Sequence, residues 1–431
     1  MEQTIRISKS ADVDVFVLGA GCAGVFAAIS AAKLGARVLV AEKSAMPGGT
    51  LSVCGVDFPG IFHAWGKQII GGSCYESLLR AERLGGAVIP EIVYRPERHW
   101  MMQVRLNVFT YVHVLEEMLA ESGAQVLYHV MPCGIRETED GVDVILAGKE
   151  GNLSVHAKVL IDATGDANAV ARLGYPLLKS EVLQPATLIN NLSGYEPGDW
   201  SESELNAVFE AALATGELAK RDLQGKRPAE LLRDRRIHLH IHTASPETSA
   251  GKTDLEREAR AAVFRVLQVF RRVRGLERIA VGSFCTECGV RESVRIDAET
   301  MITAADYLAG KVYDDAVCHA FYPIDLHIDH AIKQEFLSEG IVPTVPLSAL
   351  IPKGAKHVLA PGRCLGSDTD ANSALRVQAV CMATGQAAGA AAALAAAGAA
   401  DGKAVDCRAV DYDALCAALC SLGAIVPQKR A

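Results

Sequence analysis

The sequence predicts an α/β protein, in which a doubly wound and mainly parallel sheet domain is interrupted by a smaller α+β domain. Three observations carry this prediction. A Val-dense apolar run, VDVFVLGA at 13–20, leads straight into a glycine turn and a small-residue helix. A second such run, ARVLVAEK at 36–43, follows after one helix length. The same buried-strand and small-residue patterns return near the C-terminus, in HVLAPGRC at 357–364 and AVCMATGQAAGAAAALAAAGAA at 379–400.

The elements follow in order. Short apolar runs rich in Val are buried parallel strands, so 13–20 is the first strand and 36–43 the second. Between them AGVFAAISAAKLG forms a helix that stops at Gly35, completing a βαβ unit. From Gly48 to Gly72 the chain is rich in glycine, and His63 and Trp65 are read as part of a long ordered loop. Helices are expected over ESLLRAERLGG (76–86) and TYVHVLEEMLAESG (110–123). Residues 124–167 alternate strand patterns with charged turns, and AKVLIDATG at 157–165 returns to the buried-strand pattern. Residues 1–175 therefore make the first part of the sheet domain. Residues 176–345 are Pro-punctuated and more charged, with a long helix around DLEREARAAVFRVLQVFRRVRG, and read as the inserted domain. Residues 346–431 close the first domain.

Bulk properties narrow the function. A chain of 431 residues fits two or three structural units. The net charge of −8 gives no reason to expect nucleic acid or an anionic membrane as partner. The basic run Arg271, Arg272 and Arg274 reads as a solvated helix face. The N-terminal residues show no signal peptide, so the twelve cysteines are expected as mostly free thiols in a reducing, cytoplasmic setting. Residues 379–400 lack charge and pass a length test for a membrane span. They consist of Ala and Gly with Gln386, which argues instead for a helix packed tightly against a sheet.

GAGCAG at 19–24 is a phosphate turn in its proper setting. Gly19 allows the tight turn, Gly21 lets the backbone reach a diphosphate, and Gly24 lets the helix lie close to the strand. Glu42 ends the second strand, where a carboxylate can accept ribose hydroxyls. NAD and FAD both sit on such a Rossmann-like unit, and three further segments favour FAD. PGGT at 47–50 puts flexible backbone just past Glu42. VLIDATGDA ends a strand at Thr164, Gly165 and Asp166. APGRCLGSDTDANSALRVQAV at 360–380 leads through a polar loop to a helix start, whose amides suit an anionic reduced flavin.

Taken together, these segments resemble the FAD-dependent oxidoreductase family often called FAD_oxidored, within the wider class related to fumarate reductase flavoproteins. The likeness covers GAGCAGVFAAISAAKLGARVLVAEK, PGG, GKQIIGG, AKVLIDATGDA, GVRESVRIDAETMITAADYLAG, YPIDLH and LIPKGAKHVLAPGRC with SALRVQAVCMATGQAAG. It implies a flavin ring lying between an FAD domain and a capping domain. By position it places Gly19, Gly21, Gly24, Glu42, Lys43, Gly48, Gly49, Thr50, Gly165, Asp166, Gly362 and Arg363 on the cofactor side. ANSAL is similar to the NSL turn of the fumarate reductase class and puts Ser373, Ala374 and Leu375 near the pyrimidine edge. Pro132 falls where that class holds adenine through backbone, although proline has no N–H to offer. The His–Thr pair and arginine proton shuttle of fumarate reductases do not align here, which argues against dicarboxylate reduction. No cysteine set suits an iron–sulfur cluster, and no second glycine fingerprint suits NAD(P)H. Electrons are therefore expected from a small-molecule substrate or from an electron-transfer partner protein, and the chain is open to homo-oligomer formation.

Flavin chemistry on a substrate needs a proton carrier and an anchor for substrate oxygens. In CGVRESVR the anchor candidate is Arg291, with an interdomain salt bridge as the alternative. His327 in YPIDLH suits proton transfer, or else serves a structural role. His63 beside Trp65 is a further candidate, and Arg376 could bind substrate or stabilise reduced flavin. His238, His240 and His242 alternate and so share one strand face, to be read as surface, as pocket lining or, least readily, as metal ligands. Cys285 and Cys288 have dithiol spacing without a redox setting, and Cys54 and Cys364 lie on cofactor-facing segments. No metal site is expected. The reading is an FAD-dependent oxidoreductase that exchanges hydride between substrate and flavin N5. The alternatives are an electron-transfer subunit and a flavin-dependent isomerase without net redox change.

Overall fold

The structure is a computed structural model and describes residues 6–94, 101–223, 227–242, 244–328, 331–398 and 404–428. Its centre is a mixed sheet that starts with β1 (Ile7–Leu18), helix α1 (Cys22–Lys33) and β2 (Val38–Glu42). The sheet continues with β3 (Gln125–Tyr128), β4 (Met131–Glu137), β5 (Val142–Gly148) and β6 (Gly151–Asp162). The spatial order is β3, β2, β1, β6, β5, β4. β3, β2, β1 and β6 run parallel, β5 is antiparallel to β6, and β4 is antiparallel to β5. β6 serves two neighbours: residues 151–157 pair with β5, and Leu160 and Ile161 pair in parallel with Val358–Leu359. The distant C-terminal strand thus completes the N-terminal sheet, as the returning apolar pattern predicts.

Burial follows the residues. Val15, Phe16, Val17 and Leu18 of β1 and all five residues of β2 are buried, whereas β1 starts exposed. Both faces of the buried half are covered, so the Val-rich run needs no alternation. At the exposed end Asp14 accepts from the Arg37 backbone N–H at 2.9 Å and from Arg37 Nε at 3.0 Å, and pairs with Lys158 at 3.0 Å. That carboxylate ties together β1, the start of β2 and β6.

Several local expectations shift. The two early helices run Ser73–Arg83 and Val108–Ser122, starting ahead of their apolar periodicity. Asn107 caps the second by accepting from the Thr110 N–H at 3.0 Å, and Gln386 Oε1 accepts from the Ser73 N–H at 2.9 Å. The loop at 48–72 contains a small hairpin, His63–Ala64 against Lys67–Gln68. Trp65 (φ 49°) and Gly66 (φ 75°) form its turn, with the positive φ values that a two-residue hairpin of this twist requires. The basic run is not a helix face, because the helix Ser249–Phe270 ends before it. Arg271 donates to the Ile279 carbonyl and Arg272 pairs with Glu217.

The alanine-rich stretch is helix α2 (Gln378–Gly398), long and apolar enough to cross a membrane but with 94% of its apolar window buried within the fold. It packs on the sheet and, more tightly, on α1. A side chain at Gly385 or Gly389 would collide with the carbonyl oxygen of Ala23 or of Ala27. Small residues are needed for helix-to-helix approach, a partner the composition alone does not name.

A second apolar core gathers under a three-stranded antiparallel sheet, β7 (Ala186–Ser193), β8 (Arg236–Ile241) and β9 (Ala280–Phe284), with β7 in the middle. The helices Glu202–Ala214, Pro228–Arg233 and Ser249–Phe270 contribute to this core, where Leu188, Leu239, Phe209 and Phe270 are buried together. From Val294 onward the chain contributes to the larger core again. The alternate residues of β7 and β8, among them Thr187, Arg236 and His240, hydrogen-bond away from that core. Arg236 binds Asp57 at 3.0 Å and the Gly55 carbonyl at 2.6 Å, so this polar sheet face is turned toward the glycine-rich loop.

Candidate active site

The glycine turn is built by close backbone approach. Gly19 has φ 98°, and a Cβ there would lie 2.7 Å from the Ala163 carbonyl oxygen. The turn after β1 therefore touches the turn after β6. Gly48 (φ 107°) and Gly49 (φ 54°) bring the next loop against the first, where the Gly48 N–H donates to the Ala20 carbonyl at 2.8 Å. A Cβ on Gly49 would stand 2.9 Å from Gly21 Cα. Helix α1 has Gly21 at its N-cap, with no side chain bonded there and no acid in its first turn. Its leading N–H groups and positive dipole end are thus available to a diphosphate.

Glu42 is 7% exposed and accepts from the Ala20 N–H at 2.8 Å, the Ser44 N–H at 2.8 Å and Ser44 Oγ at 2.7 Å. A carboxylate has about four acceptor sites, so one remains for a ribose hydroxyl. The same residue therefore stiffens the turn and keeps capacity for a sugar. Beside it, the His129 and Val130 N–H groups donate to the Ser44 and Glu42 carbonyls, and Pro132 follows on β4 opposite Leu146.

Farther along, Arg363 fastens the β6 turn to the segment around Val290. Its Nε donates to the Gly165 carbonyl at 2.8 Å, and it also bonds Asp166 and the Val290 carbonyl. Asp166 additionally accepts from Ser293 Oγ at 2.6 Å. Gly362 (φ 83°) donates its N–H to Thr384 of α2 at 3.1 Å. Lys43 pairs with Glu287, and the Thr50 carbonyl accepts from the Val56 N–H at 3.2 Å. Ser373, Ala374 and Leu375 are buried in the short helix Thr369–Leu375, where Ser373 Oγ accepts from the Asp325 N–H at 2.9 Å.

That last bond leads to a buried polar cluster. Arg376 caps the C-terminal end of the short helix, just ahead of α2, and donates to Gln184 Oε1 at 3.0 Å and the Asp325 carbonyl at 3.4 Å. Its Nε has no partner among the described residues. Arg291 donates to the Pro185 carbonyl at 2.8 Å, to Thr187 Oγ1 at 2.5 Å and to His240 Nε2 at 2.9 Å. A guanidinium can only donate, so His240 is an acceptor at Nε2 and carries its proton on Nδ1. His240 and His327 meet edge to face, with centroids 5.1 Å apart. His327 Nε2 lies 3.1 Å from Asp325 Oδ2, and Gln334 donates to the other oxygen at 3.0 Å. The carboxylate fixes the His327 proton on Nε2, leaving Nδ1 without a hydrogen-bond partner among the described residues.

Charge in this cluster is out of balance. Burial, and then the neighbouring Arg376, push the Arg291 guanidinium down to about 9, which still leaves it charged at neutral pH. Burial pushes Arg376 down as well, against the pull of Asp325 and Glu292. Burial raises the Asp325 carboxyl, but its bond to His327 and the nearby cations outweigh that and hold it below the usual range. Tyr322, whose hydroxyl accepts from Gln103 at 3.2 Å, is pushed up by burial and by Asp325. Glu292 does not help Arg291, because it pairs with Arg295 at 2.7 Å.

Three of the four catalytic candidates, Arg291, His327 and Arg376, are therefore gathered in one cluster. The fourth, His63, is 2% exposed and sits in the small hairpin opposite Gln68. His240 joins the cluster and Arg236 reaches Asp57, so the histidine face of β8 is turned inward. Sequence reasoning passed over Gln184, Thr187, Tyr322 and Asp325. The last two lie in the YPIDLH segment itself, where an acid two residues before a histidine shares its strand face. All twelve cysteines are free. Cys288 donates to Glu256 at 3.4 Å and burial raises its thiol, as it raises Cys285, which disfavours thiolate chemistry at this pair. No group of three or more metal-ligating side chains occurs among the described residues.

Several known proteins are similar to this chain. A 53-residue stretch, 12% of this chain, is 45% identical to 4-oxocyclohex-2-ene-1-carboxylate 5-dehydrogenase of Sinomonas cyclohexanicum and spans 9% of that protein's length. Among solved structures, a geranylgeranyl bacteriochlorophyll reductase-like protein of Thermoplasma acidophilum is 12% identical, covering 90% of this chain and 80% of its own (TM-score 0.44). The flavin-dependent brominase Bmp2 is 15% identical over 94% of this chain and 83% of its own (TM-score 0.43). The p-nitrophenol 4-monooxygenase of Pseudomonas putida is 12% identical over 95% and 84% (TM-score 0.40). The FAD dependent oxidoreductase family matches residues 14–419, a span holding both the glycine turn and the arginine–histidine cluster, and the chain belongs to that family of FAD enzymes.

Proposed function

We propose that the protein oxidises a small organic substrate by removal of a hydride from carbon, with the accompanying proton taken by His327. Bound FAD supplies a two-electron acceptor at N5 for that hydride. The residues present fit this cofactor. Uncapped amides at the start of α1 suit its diphosphate, and Glu42 keeps one acceptor site for its ribose.

The observation that carries the reading is the Asp325–His327 pair. Asp325 holds the imidazole by Nε2 and Gln334 holds Asp325, so His327 Nδ1 is left as the proton-accepting atom of a ring fixed in orientation. Arg291 is anchored by Pro185, Thr187 and His240, which fixes it as a rigid donor for substrate oxygens. His240 keeps Arg291 in place and packs on the His327 ring, making it a positioning residue. In this arrangement the segment that follows the second core brings Arg291, the strand around Ile324–Ile328, packed on the larger core, brings His327, and the C-terminal part of the FAD domain brings Arg376. The Sinomonas cyclohexanicum relative is likewise named a dehydrogenase.

The test is anaerobic mixing of the FAD-loaded protein with panels of metabolites while the flavin absorbance is followed. A substrate that bleaches the wild type should reduce His327→Gln about 10²–10⁴-fold more slowly, with FAD content unchanged. Equal rates in the two proteins would remove His327 from the reaction.

A further inference from the structure

Arg291 and Arg376 stand out among the cations of this chain. Both are buried among neutral partners, and among the described residues neither forms an ion pair. The Arg291 partners are a carbonyl, a hydroxyl and a histidine nitrogen, while those of Arg376 are an amide oxygen and a carbonyl. The other arginines of this region are neutralised: Arg363 by Asp166, Arg295 by Glu292 and Arg236 by Asp57. Asp325, the carboxylate facing both, already accepts from His327 and Gln334. Two buried positive charges thus share one committed negative charge, a costly arrangement unless an anion joins them. Arg376 also keeps a buried Nε that has no hydrogen-bond partner among the described residues, a donor left over for an incoming group.

We infer that Arg291 and Arg376 together receive a carboxylate group carried by the substrate. This deepens the oxidoreductase reading above and rests on it for the word substrate, but the anion site itself stands on the two arginines. A guanidinium fork matches a carboxylate in two parallel hydrogen bonds, which fixes direction as well as affinity. The bound carboxylate orients the rest of the substrate relative to His327 Nδ1, and it removes the charge imbalance.

Oxidised, FAD-loaded protein is titrated with benzoate and cyclohexanecarboxylate, and in parallel with benzamide and cyclohexanecarboxamide. Calorimetry and the thermal midpoint serve as readouts. The acids should bind and raise the midpoint, and the amides should bind at least about tenfold more weakly, the loss of one charged hydrogen bond. Arg291→Gln should lose a similar factor for the acids alone, and Arg376→Gln provides the same test if the first variant does not fold. Equal binding of acid and amide, or acid binding unchanged in a folded variant, overturns the inference. So does a variant that binds acids normally while its flavin midpoint potential falls, because the two charges then serve the reduced cofactor. The two readings fail separately. Bleaching by an uncharged substrate without acid binding leaves the oxidoreductase reading and removes this one; acid binding without bleaching by any compound does the reverse.

Discussion

Replacing Gly19 by alanine tests the glycine turn quantitatively, because two other glycines separate the contributions. Gly198 has an ordinary φ and open space around it, so G198A should change stability by no more than about 0.5 kcal/mol. Gly354 has φ 82° with nothing within 4 Å, so G354A meets backbone strain alone, about 1–2 kcal/mol. Gly19 has φ 98° and, in addition, would place its Cβ 2.7 Å from Ala163 O and 3.2 Å from Thr164 Cα. Those neighbours are backbone of the β6 turn and cannot rotate aside. Overpacking of that kind costs a further ~1–3 kcal/mol, so G19A should be destabilised by about 2–5 kcal/mol. The parting of the two turns also moves the amides at the start of α1, so FAD affinity should fall at least about tenfold in G19A alone. Thermal unfolding of the three apoproteins and titration of each with FAD supply both numbers. If G19A is no less stable than G354A, or binds FAD like the wild type, the close contact between the turns is refuted.

Other consequences follow from the same structure. Burial raises the Asp14 carboxyl, but the bonds from Arg37 and Lys158 win and hold it well below the usual range. Its stabilisation is therefore complete above the ordinary carboxylate pKa near 3.9 and fades as pH falls below that value. The stability gap between wild type and Asp14→Asn, about 1–2 kcal/mol at neutral pH, should narrow below about pH 4 in denaturant titrations. Because burial raises both thiols, the Cys285→Ser, Cys288→Ser double variant should keep the wild-type rate of flavin reduction by substrate, and a large loss would make the pair redox-active. Gly385→Leu should weaken both stability and FAD binding, as read by thermal unfolding and flavin release, since it drives α2 away from the first turn of α1.

The glycine turn was legible in the sequence because its determinants are local. Gly19, Gly21, Gly24 and Glu42 all fall within one βαβ unit, and the Val runs on either side are buried on both faces. The cluster was legible only in parts. Arg291, His327 and Arg376 could be named from their motifs, but Gln184, which holds both Arg376 and the His327 backbone N–H, comes from a stretch with no pattern. His240 was ambiguous for the same reason. Strand alternation puts it on one face with His238, and only tertiary packing decides that this face meets Arg291. Element boundaries moved where a cap or a distant side chain intervened, as at Asn107 and Gln386. The purpose of the small residues in α2 needed its partner helix to be known.

The central claim is that one FAD spans the glycine turn and the arginine–histidine cluster. A crystal structure of the FAD-loaded protein tests it most directly. The account predicts the diphosphate on the amides following Gly21 and the flavin ring facing Arg291, His327 and Arg376. A ring placed away from those three side chains would contradict it.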